Sequence, residues 1–197
     1  GLPFEPQIAM APTADGNGAL QRGADSPAGL DVDLTIPQNN DPPAAVAEDP
    51  AGADAHWRSD AGRATAHLKD TVVRLPAGVA VNPSGARGLQ GCTDAQLGVL
   101  DAGVSPMRFN NEDPFDDKGA ECPDGSIVGT AVVDTPLLDD PLTGYVVVGE
   151  PKPEDIRGPQ EPLTVRLFVV VSDHDRGLVA KIHGRSHTDP ATGVITA

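Results

Sequence analysis

Aromatic residues are scarce: one Trp, one Tyr and four Phe in 197 residues. So few rings (Phe4, Trp57, Phe109, Phe115, Tyr145 and Phe168) stand against a carbohydrate-binding role, because sugar recognition uses exposed aromatic platforms. Long apolar runs are missing too. The longest, 167–171, has five residues against the roughly 20 needed to span a bilayer as a helix, so membrane insertion is not expected. Cysteine is limited to Cys92 and Cys122, with no C-x-x-C pair and no histidine at zinc-finger spacing. A structural disulfide is the first reading; two unrelated buried thiols, or a redox or metal pair, are the alternatives. Zincin, nucleophile-elbow and P-loop motifs are all lacking, and the five histidines are scattered. The expectation is therefore a protein that is not an enzyme. A glycosidase pair chosen from 29 acids would mean nothing without geometry.

What the chain does have is turn formers and acid. With 22 glycines and 20 prolines it is punctuated too often for long helices. The net charge of −15 is uneven. Residues 1–62 hold ten acids against two bases and 111–161 thirteen against three, whereas 63–110 and 162–197 come to +2 and +1. Negative charge therefore collects where the chain reads as loop, and it repels phosphate backbones, so nucleic acid is excluded as a partner.

Alternation of apolar and polar residues marks the strands. An edge strand is expected around 4–10 within a linker spanning 1–29, and a half-buried strand at 30–36. A long loop at 37–63 carries Trp57, whose expected role is to dock on its own domain, the other reading being a ligand platform. Strands follow at 64–75 and 79–81, then helical turns near 84–89 and 93–97, where Thr93 and Gln96 have capping-box spacing. A second loop is expected at 101–121. Strands at 127–134, 144–149, 163–172, 178–185 and from 194 onward complete a meander with glycine in its turns. In the 163–172 strand, Leu163, Val165, Leu167, Val169 and Val171 share one face. The chain has neither an initiating Met nor a signal-peptide pattern at Gly1, so the expectation is a module cut from a longer protein.

Four groups of residues invite functional readings. The insert 110–121 offers hard oxygen ligands, Asp113, Asp116 and Asp117 foremost, which is what calcium requires; a solvated acidic loop is the expected outcome. Lys181, His183, Arg185 and His187 alternate along one strand, and His183 and Arg185 are candidates for holding an anionic ligand. The plainer reading makes them the wet face of an antiparallel strand. Asp140-Pro141-Leu142-Thr143-Gly144 and Asp189-Pro190-Ala191-Thr192-Gly193 repeat a D-P-x-T-G form read as a hairpin turn.

The run Leu75-Pro76-Ala77-Gly78-Val79-Ala80-Val81-Asn82-Pro83-Ser84, then Gly88-Leu89, Cys92 and Cys122-Pro123-Asp124-Gly125-Ser126, continues through Gly129-Thr130-Ala131-Val132-Val133-Asp134-Thr135-Pro136-Leu137-Leu138. With the second D-P-x-T-G turn, this order and spacing resembles a module of large uncharacterised repeat-bearing secreted or surface proteins of soil actinobacteria. The resemblance covers about 2–197. It implies an exported, modular protein with its two cysteines paired, and it brings no catalytic or binding residues with it. The loops at 37–63 and 110–121 depart from that pattern. Four lysines against ten arginines, with much Ala, Gly, Pro and Asp, agree with a GC-rich source.

Together these readings give an all-β fold: an antiparallel, loosely immunoglobulin-like β-sandwich with one or two helical turns, filling 30–197. The expected function is a structural or adhesion module, extracellular or at the cell surface, with other modules of its parent chain, a glycan or a surface protein as partners and no cofactor. A carbohydrate-binding module is the alternative, and a secreted hydrolase, which would need close carboxylates or a Ser–His pair in a pocket, is the third reading.

Overall fold

A computed structural model describes residues 4–13, 29–36, 68, 70–75, 88–101, 107–115, 121–135, 138–152, 164–189, 191–192 and 194–197. The chain divides into two compact units, Gly1–Thr71 and Val72–Ala197. The boundary is not the one expected at 29/30. Strand β1 (Gln7–Pro12) pairs antiparallel with β2 (Leu30–Thr35), so the first clear strand of the sequence joins the N-terminal stretch. Opposite residues share a face in such a pair. One face of this ribbon carries Ile8, Met10, Pro12, Leu30, Val32 and Leu34, and the other Gln7, Ala9, Ala11, Asp31, Asp33 and Thr35. The alternation is as expected, but every residue of both strands is exposed, so neither face is buried.

The second unit is built on a five-stranded antiparallel sheet in the order β5-β6-β7-β8-β9. Its strands are β5 (Ile127–Val133), β6 (Leu142–Val148), β7 (Thr164–Asp173), β8 (Leu178–Thr188) and β9 (Ile195–Thr196). This is the expected meander. Asp173 caps the β7–β8 turn by accepting the Arg176 N–H at 3.0 Å, and Gly177 takes a φ of 65°, which a residue with a Cβ resists. The last part of the expected 64–75 strand adds a short rung beyond β9: Val73 and Ala197 exchange backbone hydrogen bonds of 2.7 and 2.9 Å. The 79–81 strand and the 84–87 part of the first helical turn lie outside the described residues.

Above one face of the sheet sits a small second layer, the ribbon of β3 (Val99–Asp101) and β4 (Arg108–Phe109) with the segments around it. Strand β4 and the last residue of β3 fall inside the 101–121 stretch expected to be a loop. The all-β antiparallel class expected from the sequence is what the structure shows, with a 3-10 turn at Asp124–Ser126 and a helical turn after Thr93. That turn has the expected capping box: Thr93 Oγ1 accepts the Gln96 N–H at 3.2 Å, and Gln96 Oε1 accepts the Thr93 N–H at 2.9 Å.

The core lies between the layers and is formed by Cys92, Leu97, Cys122, Val147, Phe168 and Val170, with Val99, Met107, Phe109, Phe115, Ile127 and Val179 against it. Phe168 is fully buried, and the Phe109 ring meets it edge-on at 6.1 Å. The even-numbered residues of β7 thus face this core, while the expected Val165, Leu167, Val169 and Val171 row lines the opposite face. Phe168→Ala should cost about 3–5 kcal/mol, read as a shifted denaturation midpoint. Residues 72–197 alone should melt cooperatively, and removal of 178–197, which takes β8 and β9, should abolish that melt. Loss of the melt in the first truncation would place the core elsewhere.

Candidate functional site

The segment 88–98 acts as a strap across the end of the sheet. It has little regular structure of its own, so its backbone groups need partners elsewhere. Gln90 N–H donates to Gly125 O at 2.8 Å, Cys92 N–H to Val148 O at 2.9 Å, and Glu150 N–H to Cys92 O at 2.8 Å. Gly91 permits this approach, since a Cβ there would stand 2.6 Å from the Glu150 backbone. The Cys92–Cys122 disulfide, Cα–Cα 5.1 Å, fixes the strap to the segment that enters β5. Of the readings open from the sequence, the structural disulfide is the one found.

Three cations are drawn to the strap. Arg166 on β7, only 2% exposed, reaches Asp94 Oδ1 at 2.8 Å, donates to Glu150 O at 3.1 Å, and lies 5.1 Å from the centre of the Phe168 ring. Lys152 reaches the other Asp94 oxygen at 2.8 Å. Partial burial raises the Asp94 pKa, but hydrogen bonds and charge from Lys152 and Arg166 outweigh it and hold the carboxyl below its ordinary value. Lys181 on β8 donates to Leu97 O and to Asn110 Oδ1, both at 3.0 Å. Burial pushes its pKa down, against the opposing pull of Asp113 and Glu112.

Among the described residues, the second layer covers only part of the sheet. The last of them before Glu121 is Phe115, whose ring meets Tyr145 edge-on at 4.9 Å. Beyond that contact the same face lies open, with Tyr145 38% and Val132 65% exposed. The result is a cleft of about 400 Å³, lined among others by Thr130, Val132, Thr143, Tyr145, Val170 and Ser172 from the sheet, and by Asp113, Phe115 and His174 around it. That volume is within the range of small-molecule sites, roughly 300–1,000 Å³.

At one side of the cleft Ser172 Oγ lies 3.4 Å from His174 Nε2, and Asp113 Oδ2 lies 3.6 Å from the same nitrogen. A Ser–His–Asp relay needs the serine on one ring nitrogen and the carboxylate on the other. Here both contacts converge on Nε2, and the ring is 67% exposed, so the three groups are not arranged as that relay.

Of the residues singled out in the sequence, Cys92 and Cys122 are joined, and Asp113 reaches the cleft. Asp113 Oδ1 accepts the Phe115 N–H at 2.9 Å. Asp116 and Asp117, the rest of the calcium candidate, lie outside the described residues, as does Trp57. Among the described residues, no group of three or more His, Cys, Asp and Glu side chains is placed to hold a metal ion. The basic strip on β8 is not a wet face. Opposite partners Phe168↔His183 and Val170↔Lys181 put it on the core side, because the register turns those residues inward. The His183 ring packs 5.0 Å from that of Phe168, and Lys181 is taken up by the strap. Arg185 and His187 are exposed, and His183, named with Arg185 as a candidate for an anionic ligand, is half-buried.

The D-P-x-T-G forms part company as well. Asp189 Oδ1 accepts the N–H groups of Ala191 and Thr192 at 2.8 and 3.1 Å, a turn as expected. Gly144 instead lies within β6, where a Cβ would meet Val170 O at 2.0 Å, and Thr143 and Tyr145 beside it line the cleft. Tyr145, Ser172 and His174 were missed because nothing local in their sequence marks them; only strand pairing brings them together.

Asp94→Ala would leave the Arg166 charge buried with its main partner gone, at a cost of about 3 kcal/mol at neutral pH. Because the Asp94 pKa is lowered on folding, its contribution is present above the ordinary carboxylate range, about pH 4, and is lost as pH falls through the folded value. Melting curves of the two proteins should therefore converge in acid. A difference that stays constant into acid would contradict the pairing.

No protein-family model matches the chain, no curated protein matches it, and no solved structure matches it.

Proposed function

We propose that the chain is a non-catalytic structural or adhesion module of a larger exported protein, working outside the cell or at its surface. The observation that carries this reading is the Cys92–Cys122 disulfide, both of whose cysteines are buried within the core cluster. Disulfides that staple a fold form and persist in oxidising compartments and are rare in the cytosol. The non-catalytic part is supported by Ser172, His174 and Asp113, whose shared use of one ring nitrogen does not suit them to acyl transfer. The partners in this reading are neighbouring modules of the parent chain and a glycan or protein at the surface. The acidic composition, with a net charge of −15, suits a soluble surface module and opposes nucleic acid.

In cells that make the protein, a membrane-impermeant amine label should reach it without lysis. Alkylation of the denatured, unreduced protein should modify neither cysteine. A chain that is labelled only after lysis and has two reactive thiols would overturn the proposal.

A further inference from the structure

We infer that the open part of the sheet face, between Tyr145 and Asp113, is a binding site for a neutral saccharide, such as the end of a glycan chain. The inference goes beyond the proposed module function and does not depend on where the protein works. It starts from what the second layer leaves uncovered. Strands β5, β6 and β7 present Thr130, Thr143, Tyr145 and Ser172 on one face, and the cleft they floor holds about 400 Å³.

The chemistry of the lining selects the ligand. Thr130, Thr143 and Ser172 supply hydroxyls that donate and accept, and Tyr145 supplies an exposed aromatic surface held in place by Phe115. A sugar ring matches this combination, with C–H groups for the aromatic side and hydroxyls for the rest. Asp113 adds an oriented acceptor. Its Oδ1 is engaged by the Phe115 N–H, and Oδ2 faces His174 at 3.6 Å at the side of the cleft.

Other ligand classes fit less well. An anion would meet the Asp113 carboxylate and a chain of net charge −15. An organic cation would find a single carboxylate, Asp113, among the lining residues. A wholly apolar ligand would strip water from three hydroxyls and a carboxylate and give nothing back. Neutral, hydroxyl-rich and apolar on one side is what remains.

The test uses the full chain against neutral oligosaccharides (gluco-, galacto- and manno-oligomers and chitin oligomers), with polygalacturonate and spermine as charged probes. At least one neutral oligomer should bind and shift the amide resonances of Thr130, Thr143, Tyr145 and Ser172 in the unaltered protein. Tyr145→Ala and Thr143→Lys, both at exposed positions, should each weaken that binding by roughly tenfold or more. Ile182→Lys, on the other face of the sheet, should leave it unchanged. The inference is overturned if no neutral oligomer binds at about 10 mM, near the weak end of specific affinities. It is equally overturned if the shifted resonances lie elsewhere, if the two cleft variants bind as before, or if a charged probe is preferred. None of these outcomes bears on export or on the disulfide, so the two proposals fail separately.

Discussion

A guanidinium buried in an all-β core must be matched in charge and hydrogen bonding, and Arg166 sets the terms for the rest of the domain. Leaving such a charge unpaired would cost several kcal/mol. Its partners come from two separate segments: the Asp94 carboxylate from the strap and the Glu150 carbonyl from the end of β6. Satisfying Arg166 therefore brings the strap to the sheet. Once there, Cys92 exchanges backbone hydrogen bonds with the end of β6, and Leu97 fills the core beside Phe168. The disulfide acts in the same place by a different route. It closes a loop with a sequence separation of 30, which in the chain-entropy model destabilises the unfolded chain by roughly 3–4 kcal/mol. Charge, backbone pairing and a covalent link thus converge on one short irregular segment.

The extent of that segment and its ribbon decides the surface. Where they cover the sheet, Val147 and Phe168 are fully buried. Beside Phe115 the same sheet face passes from core to cleft within two residues of β6, from Val147 to the half-open Tyr145. Among the described residues, the second layer is smaller than the sheet it covers. The cleft is the uncovered remainder, with a rim set by the Phe115–Tyr145 ring contact and by Asp113.

Much of this architecture is legible in the sequence, because period-two alternation and turn chemistry act locally. The β7–β8 hairpin follows from the apolar run before Asp173 and from Gly177 after it, and the Thr93–Gln96 box is readable from its spacing alone. The side facing the core is not readable in the same way. Arg166 stands in a Val- and Leu-rich strand and marks its row as the wet one, yet the register makes that row the buried one because Asp94 is there to receive the charge. Lys181 and His183 mislead for the same reason. The pairing of β1 with β2 crosses a 17-residue connection, too long for its Asp15-Gly16 and Asn17-Gly18 turn signals to set the register, and the cleft draws Asp113, Tyr145 and Ser172 from three segments that only the fold unites.

The central claim is that the strap lies ordered on the sheet because the disulfide ties it there. Amide hydrogen exchange, followed on the oxidised protein and again after reduction, tests it most directly. In the oxidised protein the amides of Cys92, Leu97, Asn110, Cys122 and Glu150, each a backbone donor, should exchange nearly as slowly as those of β7 and β8. On reduction they should lose protection together while β7 and β8 keep theirs. Fast exchange of the strap amides before reduction, or protection unchanged after it, would contradict the account.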